Sequence, residues 1–153
     1  MTVSDFMTKD VITVHPEDTV SDAARIIIER DLDGVPVVDD NRTLKGILTQ
    51  YDLVSKASAL HLPTMQFLLQ NMAVYKKDQA SFQKDVKEIT SLKVSDLMNV
   101  DPLTFSEDTS YEDAVMAFKN HHRVNPVPVV DEHNRVVGVV SRFDVLKPFQ
   151  ALG

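Results

Sequence analysis

The 153-residue chain contains no cysteine. That excludes disulfides, thiolate metal sites and a cysteine nucleophile, and it fits a reducing cytoplasm, the compartment expected here. Long apolar runs are also missing. The longest are a few residues, as in Val35-Pro36-Val37-Val38, far short of the roughly 20 a membrane span requires, so no membrane insertion is expected. The opening "MTVSDFMTKD" carries two acids and no apolar core, unlike a signal peptide. Positive charge is scarce too. A formal net charge of −7 argues against a general nucleic-acid binder, though not against a local basic pocket for a small anion. No Walker loop, GxGxxG or Ser/His/Asp arrangement occurs, so the chain is not read as an enzyme and no catalytic residue is assigned. His121, His122 and His133 form no ligand set, because adjacent histidines point different ways and no fixed carboxylate spacing completes them. No metal site and no required cofactor are expected.

What is present is the composition of a folded protein, 43% hydrophobic and 25% charged. The length suits one domain, or two small halves sharing a core. A duplication decides between them. "VSDFMTKDVITV" from Val3 matches "VSDLMNVDPLTF" from Val94, 91 positions on. "GVPVVDDNRTLKGILTQYDLV" from Gly34 matches "PVPVVDEHNRVVGVVSRFDVL" from Pro126, 92 positions on. One extra residue therefore sits near "HHRVN".

Each copy parses alike. Val11-Ile12-Thr13-Val14 and Leu103-Thr104-Phe105 read as short strands bounded by turn residues. Residues 18–30 and 109–122 read as helices, the first with Val20, Ala23, Ala24, Ile27 and Ile28 at helical spacing. Acids near both starts suit the helix dipole. Two strands follow, joined by "DNRT" in one copy and "EHNR" in the other. A last helix opens at Thr49-Gln50-Tyr51-Asp52, and Pro148 is expected to cut its counterpart short. The fold class is α/β (α+β), two β-α-β-β-α units able to bury a face together that neither buries alone. Boundaries fall at 1–60, 61–92 and 93–153. Residues 55–93 first continue the helix and then form a helical insertion, with stripes at Met65, Leu68, Leu69, Met72 and at Phe82, Val86, Ile89.

The repeated [Ser/Thr]-x-x-Asp, Thr49/Asp52 and Ser141/Asp144, has two readings. One is a short capping box tying up amides at a helix start. The other is a ligand contact: a strand running into a helix N-terminus is a ready anion site. There a hydroxyl donates to a phosphate oxygen and a carboxylate one turn in accepts from ribose hydroxyls. Val35-Pro36 and Val127-Pro128 offer an apolar edge, with one amide removed, for a flat base. Both readings hold together, because the site is built on a helix start.

The "VSDFM"/"VSDLM" lead-ins, the "VPVVDD"/"VPVVDE" strands and the "GILTQYD"/"GVVSRFD" turns together resemble a tandem pair of CBS domains, the regulatory module named after cystathionine beta-synthase. The resemblance covers about two-thirds of the chain and leaves out the 55–93 stretch. It implies a pseudo-twofold pair with two clefts between the repeats, and association of two such pairs as a flat homodimer. It further implies a regulatory adenine nucleotide as ligand, with Asp52 and Asp144 on ribose and Thr49 and Ser141 on phosphate. Val35, Pro36, Val127 and Pro128 would line the base, helped by Ile12, Thr13, Leu103 and Thr104. "HHRVNPVPVV" makes His122 and Arg123 candidate anion contacts. Which repeat's base contacts serve which aspartate stays open.

The copies differ in charge. Copy two has Arg142 inside its motif and His121, His122 and Arg123 upstream, where copy one has Gln50 and the acidic "ERDLDG". Phosphate prefers arginine, so the sites are expected to be unequal, with the one nearer these basic residues tighter. The function read from this is a sensor of AMP, ADP or ATP that passes its state to a separate, unidentified effector protein. The alternative is a ligand-free pair serving as a dimerisation or docking scaffold.

Overall fold

The prolines of the two "VPVV" strands decide where the sheets stop. The computed structural model describes residues 1–57 and 92–152. The first copy comprises α1 (Val3–Phe6), α2 (Val20–Glu29), β1 (Gly34–Val38), β2 (Leu44–Thr49) and α3 (Gln50–Ala57). The second comprises α4 (Val94–Leu97), α5 (Tyr111–Asn120), β3 (Val127–Val130), β4 (Val136–Val140), a 3-10 turn at Asp144–Leu146 and α6 (Lys147–Gln150). β1 pairs antiparallel with β2, and β3 with β4, in matching register. The expected strands at 11–14 and 103–105 shrink to single parallel bridges, Val14 to Val37 and Phe105 to Val129. Val14 N–H donates to Pro36 O and Val38 N–H to Val14 O, and Phe105 does the same between Pro128 and Val130. The next rung would need an N–H from Pro36 or Pro128, which proline lacks.

The helices are shorter than expected. Thr19 and Ser110 cap α2 and α5, their hydroxyls accepting from the Asp22 and Asp113 amides at 3.1 Å. Val20, Ala23 and Ile27 are buried, but Ile28 is 78% exposed. It lies about 100° around the helix from Ile27 and leaves the core stripe. Pro148 sits in the first turn of α6 rather than ending a helix, the position where a missing N–H costs least. The 61–92 insertion, with both of its apolar stripes, lies outside the described residues apart from Leu92.

The two lead-ins are exchanged. Val3, Phe6 and Met7 pack with Phe105, Ala114, Phe118, Val127, Val129 and Val140, the core of the second copy. Val94 and Leu97 pack with Val14, Val20, Ala23, Ile27, Val35, Val37 and Leu48, the core of the first. Backbone bonds fix both exchanges: Val3 N–H to Thr109 O and Val94 N–H to Asp18 O, each 2.8 Å. A third cluster, Val38, Leu44 and Val136, joins the halves. There the hairpin turns lace together, Leu44 N–H to Asn134 O and Val136 N–H to Arg42 O. Thr43 bridges Arg135, its own counterpart, which places a pseudo-twofold axis between them. Asp39 and Asp131 shape those turns by accepting two backbone amides each. The Arg135 and His133 amides hold the Asp131 carboxyl below its ordinary range, against the opposing effect of desolvation.

The motif glycines make room for the exchange. A Cβ on Gly46 would stand 2.5 Å from Asn99 O, just past α4, while one on Gly138 would meet the Met7 side chain. A backbone carbonyl yields less than a methionine. Gly46→Ala is therefore expected to cost about 1–3 kcal/mol of stability, and Gly138→Ala less, by urea unfolding. Phe6→Ala, near the N-terminus yet 4% exposed, is expected to cost about 3–5 kcal/mol in the same measurement.

Candidate functional site

β2 ends at Thr49 and α3 begins at Gln50, so the first motif occupies a strand-to-helix turn. The Thr49 amide and hydroxyl both donate to Asp52 Oδ2 at 3.0 Å, and the Asp52 amide donates back to Thr49 Oγ1 at 3.2 Å. The second motif repeats this: the Ser141 amide and hydroxyl reach Asp144 Oδ2 at 2.8 and 3.0 Å, with a 3.2 Å return bond. These are reciprocal caps. They consume one oxygen of each carboxylate and fix its orientation. The other oxygen, Oδ1, pairs with Lys56 at 3.5 Å in Asp52. In Asp144 it takes Lys147 at 2.5 Å and the Thr8 hydroxyl at 3.3 Å. Both lysines also donate to the last carbonyl of an exchanged lead-in helix, Lys56 to Leu97 and Lys147 to Phe6. The aspartates are only 6% and 5% exposed, so these partners offset the cost of burying charge.

Each motif opens on a cleft whose far wall comes from the other copy. The larger, about 410 Å³, joins Ser141, Phe143 and Asp144 to Ile12, Leu32, Gly34 and Pro36, with Thr8, Asp10, Asp31 and Asp33 at its polar margin. The smaller, about 180 Å³, joins Thr49, Tyr51 and Asp52 to Leu103, Val124 and Pro126, with Asn99, Arg123 and Asn125. The stops imposed by Pro36 and Pro128 release Ile12 and Leu103 from the sheets to line these walls.

The expected site residues distribute unevenly. Ile12 and Pro36 join Asp144, while Leu103 joins Asp52. Val35 and Val127 are core residues, and Pro128, as fully buried as Pro36, lines neither cleft. Thr13 is not among the lining residues of either cleft, and Thr104 lines a separate depression with Ser106 and Glu107. The basic cluster divides. Arg123 faces Asp52, where it lies 5.2 Å from the Tyr51 ring centre and donates to the Tyr51 hydroxyl at 2.8 Å. Arg142 lines neither cleft. Its guanidinium caps the end of α5 through the carbonyls of Phe118, His121 and His122 and stacks on the Phe118 ring. His122 is exposed and contributes that carbonyl. Thr8, Asn99, Tyr51, Phe143 and Pro126 were not singled out in the sequence, and Asp31 entered only as part of the acidic "ERDLDG" set against Arg123. Thr8 and Asn99 arrive by the exchange and carry no local signal. Among the described residues no three His, Asp or Glu side chains are grouped to hold a metal ion, and no helix is long and apolar enough to cross a membrane.

Two pseudo-equivalent clefts, each shared between duplicated halves, define a tandem pair of repeats. The CBS domain model matches residues 3–59 and 94–150, and the chain belongs to the CBS domain family as a tandem pair. CBS domains are regulatory modules rather than catalysts. The chain is 32% identical over 155 residues to the chloroplastic CBS domain-containing protein CBSX2 of Arabidopsis thaliana, covering 95% of this chain and 62% of that one. It thus spans about three-fifths of that relative's length. The solved structure of CBSX2 in complex with AMP is 29% identical with a TM-score of 0.72, over 99% of this chain and 97% of that one. The CBS pair of protein MJ0100, solved with 5′-methylthioadenosine and S-adenosyl-L-methionine, is 25% identical with a TM-score of 0.71, over 100% and 98%.

The contacts of Arg142 give a direct expectation. Arg142→Ala should lower stability by about 1–2 kcal/mol through loss of the α5 cap, measured by urea unfolding.

Proposed function

We propose that the chain senses adenosine-containing nucleotides of the AMP, ADP and ATP class in its two clefts and passes the bound state to a partner protein. The observation that carries this is the pairing, in each cleft, of a buried and oriented carboxylate from one copy with an apolar wall from the other. Asp52 and Asp144 accept ribose hydroxyls through Oδ1. The Thr49 and Ser141 hydroxyls exchange their bond to Oδ2 for a phosphate oxygen, while their backbone amides keep the carboxylates in place, and Ile12, Pro36 and Leu103 contact the base. The larger cleft falls within the usual 300–1,000 Å³ of small-molecule sites. The smaller widens by rotation of Tyr51 and Arg123, both exposed side chains.

Binding has a route to the rest of the fold. A ribose on Oδ1 competes with Lys56 or Lys147, each of which also holds an exchanged lead-in helix. Loosening that hold favours one arrangement of the lead-ins over another, which is the differential affinity a sensor needs. A homodimer and an effector are part of this proposal. The exposed side chains of Phe143, Leu146, Phe149 and Leu152 supply an apolar surface for such contacts. One observation favours the scaffold reading instead: both Oδ1 atoms already have lysine partners.

Calorimetric titration with AMP separates the two. Binding by the unsubstituted protein, with one event removed by Asp52→Asn and the other by Asp144→Asn, is the expected result. Silence from the unsubstituted protein points to the scaffold.

A further inference from the structure

The two clefts are assembled from equivalent positions, so a difference between them reveals what each is made to accept. Three residues before Gly34 stands Asp31, and three residues before Pro126 stands Arg123. Each lines the cleft that contains the other copy's motif, Asp31 facing Ser141 and Asp144, Arg123 facing Thr49 and Asp52. We propose that this pair sorts ligands by charge. Arg123 makes the Asp52 cleft select phosphorylated adenosine. Asp31 makes the Asp144 cleft prefer an adenosine derivative with no phosphate. The inference rests on the adenosine-binding reading above and adds a division of labour to it.

The surroundings reinforce the contrast. Arg123 is held over its cleft by Tyr51, whose hydroxyl accepts from Nη1 at 2.8 Å. The fork therefore stands ready to exchange that hydroxyl for phosphate oxygens, which it binds more strongly. Phe143 occupies the equivalent of Tyr51 and offers no hydroxyl. In the Asp144 cleft, Asp31 is joined by Asp10 and Asp33, and Asp33 is fixed by the Asn125 side-chain amide at 2.9 Å. A phosphate brought there meets like charges at short range, while a nucleoside without one incurs no such repulsion. The helix starts also differ: α3 begins directly after Thr49, whereas Arg142 and Phe143 separate Ser141 from the 3-10 turn that runs on into α6.

Titration with AMP and adenosine tests this on single-cleft proteins. In Asp144→Asn, which leaves the Asp52 cleft, AMP should bind about tenfold tighter than adenosine. In Asp52→Asn, adenosine should bind at least as tightly as AMP. Adding Arg123→Gln to the first should cost AMP about tenfold and leave adenosine unchanged. Adding Asp31→Asn to the second should strengthen AMP. Asparagine suits that site because Asp31 has a φ of 53° and asparagine tolerates the left-handed region. Equal AMP-to-adenosine ratios in the two clefts, or ratios unmoved by both added substitutions, would overturn the proposal while sparing the adenosine reading. Failure of the unsubstituted protein to bind either compound would remove both.

Discussion

The exchange of the two lead-in segments is the contact on which the rest of the structure depends. Neither duplicated unit holds all of its own core, because Phe6 fills the second half and Leu97 the first. A half of some sixty residues buries too little apolar surface to be secure alone. Exchange turns that weakness into mutual dependence. It also imposes conditions elsewhere. Gly46 and Gly138 must stay small where the lead-ins pass, and Lys56 and Lys147 bind the ends of those helices to the motif aspartates. Core, glycine and carboxylate form one connected arrangement in each half.

That connection lets a capping box and the proposed ligand contact coexist. The cap occupies Oδ2 and locks the carboxylate in place, while Oδ1 is left to exchangeable partners. A buried carboxylate with a fixed orientation and one negotiable oxygen is preorganised for a ligand hydroxyl. The alternative partner is a lysine on a flexible stem, which water can take over once it is displaced. Stability and the proposed ligand recognition thus draw on the same few atoms, which is how binding would be felt by the lead-in helices.

Much of this was legible in the sequence. The duplication, the hairpins and the paired [Ser/Thr]-x-x-Asp at strand-to-helix turns all follow from spacing along the chain. Other expectations changed with the fold. The edge strands at 11–14 and 103–105 failed to extend because Pro36 and Pro128 have no N–H for the next rung. Ile28 left the core because helical spacing alone does not say how wide the buried stripe is. Val35 and Val127, grouped with the base contacts in the sequence, lie wholly within the cores.

Charge shows most clearly where local reasoning stops. In the sequence Arg123 and Arg142 belong to one basic copy and Asp31 to an acidic one. In the fold Arg123 joins the acidic copy's motif, Asp31 joins the other, and Arg142 turns back to cap α5. The sequence by itself determined which chemical groups exist and that each motif is a helix cap beside an apolar strand. Only the tertiary structure decided which charges share a cleft. The reason is the pseudo-twofold crossing, which sets Arg123 beside Asp52, 71 positions away, and Asp31 beside Asp144, 113 positions away, beyond the reach of any local pattern.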